Sequence, residues 1–179
     1  MKENRYYPDQ PKGPFPKPPR TVADDENREI FIESISWEHE YIENLVDMYT
    51  NFDPADRAQG IPPASEEAIR SWIQSLQCGC NIVGWHRDAI IGHGMLIPDV
   101  DNEHELAIFI SHEYQNAGNG TAILKLLLGY GQQQGIERVW LTVERWNQAA
   151  ISLYKKVGFE TTDVDSFELE MTIKLVQEW

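Results

Sequence analysis

Cysteine is nearly absent: Cys78 and Cys80 are the only thiols among 179 residues. Two are too few for a disulfide framework, and a Cys-x-Cys pair without His or further Cys at ligand spacing gives little ground for zinc, so no metal is expected. The chain also lacks any apolar run of the length a membrane span needs, and its N-terminus lacks the apolar stretch of a translocation signal. A soluble, cytoplasmic protein is therefore expected. Basic residues are scarce as well. Fifteen Lys plus Arg stand against 29 Asp plus Glu, a formal charge of −14, and phosphate backbones attract the opposite sign, so no nucleic-acid partner is expected. An acidic surface can draw in a cationic amine, but the same balance also serves solubility, so charge alone does not choose a substrate.

What is present is enough for one enzyme-sized domain. Hydrophobic residues make up 41% of the chain and there are six Trp, a composition that argues for a packed core and against disorder. Residues 1–27 read differently. They hold Pro8, Pro11, Pro14, Pro16, Pro18 and Pro19 among charges and no apolar run, so they are expected to form an extended or disordered tail on a domain spanning 28–179. Removing residues 1–20 should then cost little stability.

Periodicity orders the rest. Residues 29–36 alternate as a strand, and 38–50 place Tyr41, Leu45, Met48 and Tyr49 at helical intervals. Pro54, Gly60, Pro62 and Pro63 mark the loop 52–64. Ser65, followed by Glu66 and Glu67, opens a second helix. Strands at 81–86 and 89–97 form a hairpin, and a further strand covers 104–110. A long helix follows over 120–134, then a strand at 139–144, a helix over 147–157 ending at Gly158, and two closing strands around 160–164 and 167–175. The expected fold is α/β (α+β): a mixed, mostly antiparallel sheet of about seven strands with helices on both faces. The unit from strand 104–110 through the long helix to strand 139–144 is a parallel crossover, so the loop entering that helix lies at a carboxyl edge suited to ligands.

That loop, Gln115-Asn116-Ala117-Gly118-Asn119-Gly120-Thr121, is the most informative stretch. Gly118 and Gly120 let successive N–H groups converge at the positive end of the following helix, which suits a diphosphate. No Gly-Lys-Ser/Thr follows, and Ile123 stands where the dinucleotide fingerprint needs a small residue, so neither nucleotide motif applies.

Gln115-x-x-Gly118-x-Gly120, preceded by the aliphatic strand Leu106-Ala107-Ile108-Phe109-Ile110, resembles the Gln/Arg-x-x-Gly-x-Gly/Ala signature of the GNAT acetyltransferases. Asn147, Ala150, Leu153, Tyr154, Gly158 and Phe159 resemble the second motif of that superfamily at its spacing. The resemblance implies an acetyl-CoA-dependent N-acetyltransferase. It places the pantetheine arm on the backbone of Ile108, Phe109 and Ile110, the pyrophosphate on Asn116, Ala117, Gly118, Asn119, Gly120 and Thr121, and a further bond to the arm on Asn147. Asn116 departs from the family, where a basic residue often stands, so the cradle must work through its backbone.

Acyl transfer to an amine needs a neutral amine, a polarised carbonyl and a proton for the departing thiolate. The resemblance gives the proton to Tyr154, which shares a helical stripe with Asn147, Ala150 and Ile151. The Ile110 N–H would polarise the carbonyl. Glu105, His104 and Glu144 are the candidates for general base. Glu105 comes first; its side chain alternates to the face of Ala107 and Phe109, whereas His104 keeps phase with Leu106 and Ile108. Asp53, Asp56 and Arg57, with Tyr49 nearby, would line the acceptor pocket. The remaining histidines read as structural or surface residues. The acceptor is expected to be a small amine. A protein lysine or N-terminal amine, and a non-catalytic acyl-CoA-binding module, are the alternatives; a homodimer is compatible with all of them.

Overall fold

The computed structural model describes residues 4–58, 60–165 and 167–177. Eight strands form one sheet: β1 (Arg20–Ala23), β2 (Glu29–Ser34), β3 (Cys80–His86), β4 (Ala89–Pro98), β5 (Glu103–Ile110), β6 (Arg138–Glu144), β7 (Glu160–Val164) and β8 (Glu168–Lys174). Their spatial order is β1-β2-β3-β4-β5-β6-β8-β7. Every pair is antiparallel except β5–β6, the crossover that residue order implied. The helices are α1 (His39–Thr50), α2 (Glu66–Ser75), α3 (Asn119–Gln133) and α4 (Gln148–Val157). Ser65 caps α2 by accepting the Ala68 N–H at 3.2 Å, as its position before two acids predicts.

Side chains alternate across the sheet and so feed two cores. On one face Ile30, Ile32, Ile82, Leu106, Leu141 and Ile173 pack with Ile123, Leu127 and Ile151 of α3 and α4. On the other, Val83 and Ile90 pack with Leu45, Tyr49, Ile69 and Ile73 of α1 and α2. Each of these aliphatic side chains contributes about 1.5–3 kcal/mol when fully withdrawn from water.

The expected disordered tail is corrected here for residues 4–27. They wrap the domain, and residues 20–23 supply the eighth strand, pairing with β2 from Arg20↔Ile32 to Ala23↔Glu29. Lys12 joins the end of β8 by donating to Lys174 C=O at 2.8 Å and accepting from Val176 N–H at 2.9 Å. Phe15 N–H donates to the Gln132 side chain at 2.8 Å, and its ring joins the α3 core. Gly129 of α3 sits so close to Pro16 that a Cβ there would overlap the proline carbonyl. Arg5 lies over the Trp140 ring, 3.6 Å from its centre, and pairs with Glu103 at 2.7 Å and Glu170 at 3.2 Å. The segment lacks a continuous apolar run because it lies on the surface as an extended strap, anchored by a few large side chains. Its prolines reduce the entropy lost on docking. Among the described residues, no helix is long and apolar enough to cross a membrane.

Candidate active site

The parallel ladder between β5 and β6 is short. It joins Glu103↔Arg138, His104↔Val139 and Glu105↔Trp140 and ends there, although β5 runs on to Ile110 and β6 to Glu144. Beyond Glu105 the strands part. On its other edge β5 stays paired with β4 as far as Ile110↔Gly92, and Ser111 N–H donates to Ile91 C=O at 2.9 Å. Peptide groups alternate in direction along a strand, so Ala107 and Phe109 give their N–H groups to β4. Those of Ile108 and Ile110 face the gap. The gap thus offers backbone donors and acceptors to an extended ligand, as a sheet edge does to an added strand.

The glycine turn stands at the mouth of this gap. Gly118 has φ 84° and Asn116 φ 56°, values that suit Gly and Asn and cost other residues about 1–3 kcal/mol. The first bond that closes α3 runs from Ala122 N–H to Gly118 C=O. The N–H groups of Gly118, Asn119, Gly120 and Thr121 therefore belong to the unsatisfied end of the helix, where its dipole is positive. This fits a diphosphate through backbone alone. Gly120 faces α4, where an added Cβ would lie 3.4 Å from Leu153.

Other residues of the turn are engaged in holding its shape. Gln115 gives its N–H to His112 C=O and its side-chain amide to Asp56 and to Ile110 C=O, both at 3.0 Å. Ala117 is buried and accepts the Asp25 N–H at 2.8 Å. The Asn119 side chain, also buried, turns away to Asp24 and Tyr114 C=O, both at 3.0 Å. Asp24, Asp25 and Arg28 are contacts that sequence reasoning missed. The run Asp24-Asp25-Glu26-Asn27-Arg28 does carry the signature of a tight turn, with Asn27 at φ 60°.

On α4, Asn147 caps its own helix by accepting the Ala150 N–H at 3.2 Å, which leaves its amide N–H groups for a ligand. Tyr154 packs against Phe159 with ring centres 5.8 Å apart. Burial pushes its phenol up to about 12, and its hydroxyl takes no hydrogen bond among the described residues. At neutral pH it is a protonated donor.

The structure separates the three base candidates. Glu105 is exposed on the last paired rung, directly below the parting of the strands. Glu144 stands at the open end of β6, half-buried and opposite Glu168. His104 lies apart from the gap, in a cavity bounded by Cys80, Gln134, Ile136 and Arg138. Burial lowers its pKa, and its position within the closed ladder keeps it from the parted strands.

The acceptor side of β5 is walled by Phe109, which meets Tyr49, Phe52 and Trp72 at ring-centre distances of 5.6–6.0 Å. Tyr49 is no pocket residue, because its ring is fully buried. Its hydroxyl bonds His93 Nδ1 at 2.6 Å, and His93 Nε2 meets Asn81 Oδ1 at 2.8 Å. Asn81 gives its amide N–H groups to Leu76 and Gly79 carbonyls, so its oxygen accepts from Nε2–H and the ring is neutral with Nδ1 accepting from Tyr49. Asp53 and Asp56 lie at the rim, with His112 Nδ1 at 3.8 and 3.2 Å from their carboxylates.

A sequence model of the acetyltransferase (GNAT) family matches residues 42–159. An uncharacterised N-acetyltransferase of Mycobacterium tuberculosis is 33% identical over 85 residues, which are 47% of this chain and 54% of that protein. The [ribosomal protein bS18]-alanine N-acetyltransferase of Escherichia coli is 35% identical over 57 residues, 32% of this chain and 38% of that enzyme. The matched segment thus spans about half or less of these curated relatives. Among solved structures, the GNAT domain of S. lividans PAT superposes with a TM-score of 0.74 over 87% of this chain and 96% of that one, at 14% identity. A PaiA N-acetyltransferase of Thermoplasma acidophilum in complex with coenzyme A gives 0.62 over 80% and 98%, at 22% identity. The sheet that parts beside a glycine turn, and the family match across both, make this chain a member of the GNAT acetyltransferase family.

Proposed function

We propose that the protein transfers an acetyl group from acetyl-CoA to a primary amine by direct attack, with Tyr154 as general acid. One observation carries the reading: β5 and β6 part after Glu105↔Trp140 and lead from the Ile108 and Ile110 amides to the exposed N–H groups at the start of α3. Acetyl-CoA, when bound, supplies an activated thioester. The backbone of Ile108 and Ile110 holds the extended arm, whereas Phe109, expected to share in this, spends its backbone bonds on β4; residues 116–121 hold the diphosphate through their N–H groups, and Asn147 adds an amide donor. Gln115 acts by fixing the turn. The Ile108 N–H, the gap-facing donor nearer Glu105, stabilises negative charge developing on the carbonyl oxygen; Ile110, expected in that role, lies beside the turn on the diphosphate side of the arm. Glu105, on the acceptor face, removes one proton of the incoming ammonium through water, Tyr154 gives its proton to the departing sulfur, and the second proton shed by the nitrogen as the amide forms restores the phenol. Asp53 and Asp56 hold the positive charge of the acceptor before it loses that proton.

A small amine is the first reading for the acceptor, supported by the acidic rim. The match to the alanine N-acetyltransferase of E. coli supports a second, the α-amine of a protein. Incubation with acetyl-CoA and a panel of polyamines, lysine and Ala-initiated peptides, read by mass spectrometry, decides between them. Acetylated product in one arm identifies the class. Tight coenzyme A binding with no product in any arm would favour a non-catalytic acyl-CoA-binding module instead.

A further inference from the structure

The turn before α3 is gripped from behind by residues 24–28. Asp24 is buried. Its Oδ1 accepts the N–H groups of Glu26 and Arg28, both at 3.0 Å. Its Oδ2 accepts Arg28 Nε at 2.8 Å and the Asn119 amide at 3.0 Å. Asn119 gives its second N–H to Tyr114 C=O, so one side chain spans the turn from its start to the first residue of the helix. Arg28 adds a bond to Glu113 C=O at 3.1 Å and lies over the Tyr114 ring, 4.2 Å from its centre. The neighbouring Asp25 N–H holds Ala117 C=O at 2.8 Å.

We propose that Asp24 is a positioning residue for the acyl donor: through Asn119 it sets the direction in which the N–H groups of Gly118 to Thr121 point at a diphosphate. The inference rests on the reading of that turn as the diphosphate site. Orientation matters here because Asn116 offers no cationic side chain, so attraction falls to backbone dipoles that count only when aligned. The Asn119 oxygen is buried without a hydrogen-bond partner among the described residues. An apolar side chain would fill the same space without that cost, which argues that the amide is there for its two N–H bonds. Four hydrogen bonds to the Asp24 carboxylate outweigh the opposing effect of its burial and bring its pKa down to about 2. The strut therefore stays charged across the neutral range.

Asp24→Asn keeps the volume and an oxygen for Glu26 and Arg28 but turns an N–H toward the Asn119 amide. Coenzyme A titrated by calorimetry should bind tenfold or more weakly to this variant. S-acetyl-pantetheine, which has the arm without the diphosphate and is titrated by NMR, should bind within twofold of wild type. Asn119→Leu breaks the same strut from its other end and should give the same split; it decides the matter should Asp24→Asn fail to fold. Parallel loss for both ligands would reduce Asp24 to a fold-stabilising residue and overturn the proposal, as would unchanged coenzyme A affinity. If wild type bound coenzyme A no more tightly than S-acetyl-pantetheine, the diphosphate reading itself would fall, and this inference with it.

Discussion

Glu105 and Trp140 face each other on the last rung that joins β5 to β6. Above that rung the Ile108 and Ile110 amides have no strand partner among the described residues. Below it the sheet is closed and covered by Arg5, which ties Trp140 to Glu103 and Glu170. One boundary in the sheet thus divides a packed half from a half open to ligand.

The turn should be more sensitive at Gly118 than at Gly120. Gly118 has φ 84°, so Gly118→Ala strains the backbone by about 1–3 kcal/mol or forces it to a new direction. Coenzyme A affinity should fall about tenfold or more by calorimetry. Gly120→Ala meets only Leu153 at ordinary contact distance and should bind nearly as wild type, whereas Gly120→Val presses on α4 and should weaken binding.

Tyr154→Phe removes one hydroxyl and keeps the ring against Phe159. If the phenol protonates the leaving sulfur, kcat should fall by roughly 10- to 1,000-fold with donor affinity and Tm nearly unchanged. Full activity at saturating acceptor across the pH range would return Tyr154 to the core.

Much of this arrangement was legible in the sequence, because it depends on local signals. Glycine spacing located the turn, the aliphatic run from Leu106 to Ile110 located β5, and the crossover order set its parallel partner. What was missed depends on contacts between distant residues. His104 and Glu105 are neighbours in sequence, yet only the end of the β5–β6 ladder separates a closed position from an open one. Tyr49 sits on a helix that periodicity finds, but its partner His93 lies 44 residues away. The N-terminal strap has neither periodicity nor an apolar run. Its anchors, Arg5, Lys12 and Phe15, meet partners more than 90 residues along the chain.

The strap should therefore matter for stability. Deleting residues 1–18 removes the Phe15 contact, the Lys12 ladder and the cover of Trp140, a loss of about 2–4 kcal/mol. Calorimetry should show Tm lowered by about 5–15 °C. An unchanged Tm would mean that the segment does not stay docked.

His93 should make the fold sensitive to mild acid. Burial pushes it down to about 3, whereas an unfolded histidine titrates near 6.5. The unfolded chain therefore binds more protons between those values, so stability is complete above about pH 6.5 and declines as pH falls below it. By pH 5 the loss should be on the order of 1–2 kcal/mol. His93→Gln, which does not titrate, should start less stable but lose less between pH 7 and pH 5 in chemical denaturation. An equal slope in both proteins would assign the acid sensitivity elsewhere.

Backbone-amide hydrogen exchange with and without coenzyme A tests the donor site most directly. Exchange should slow on binding at Ile108, Ile110 and residues 116–121, with Ala107 and Phe109, already bonded to β4, unchanged. Protection confined to another surface, with the amides of β5 and the turn unaffected, would contradict it.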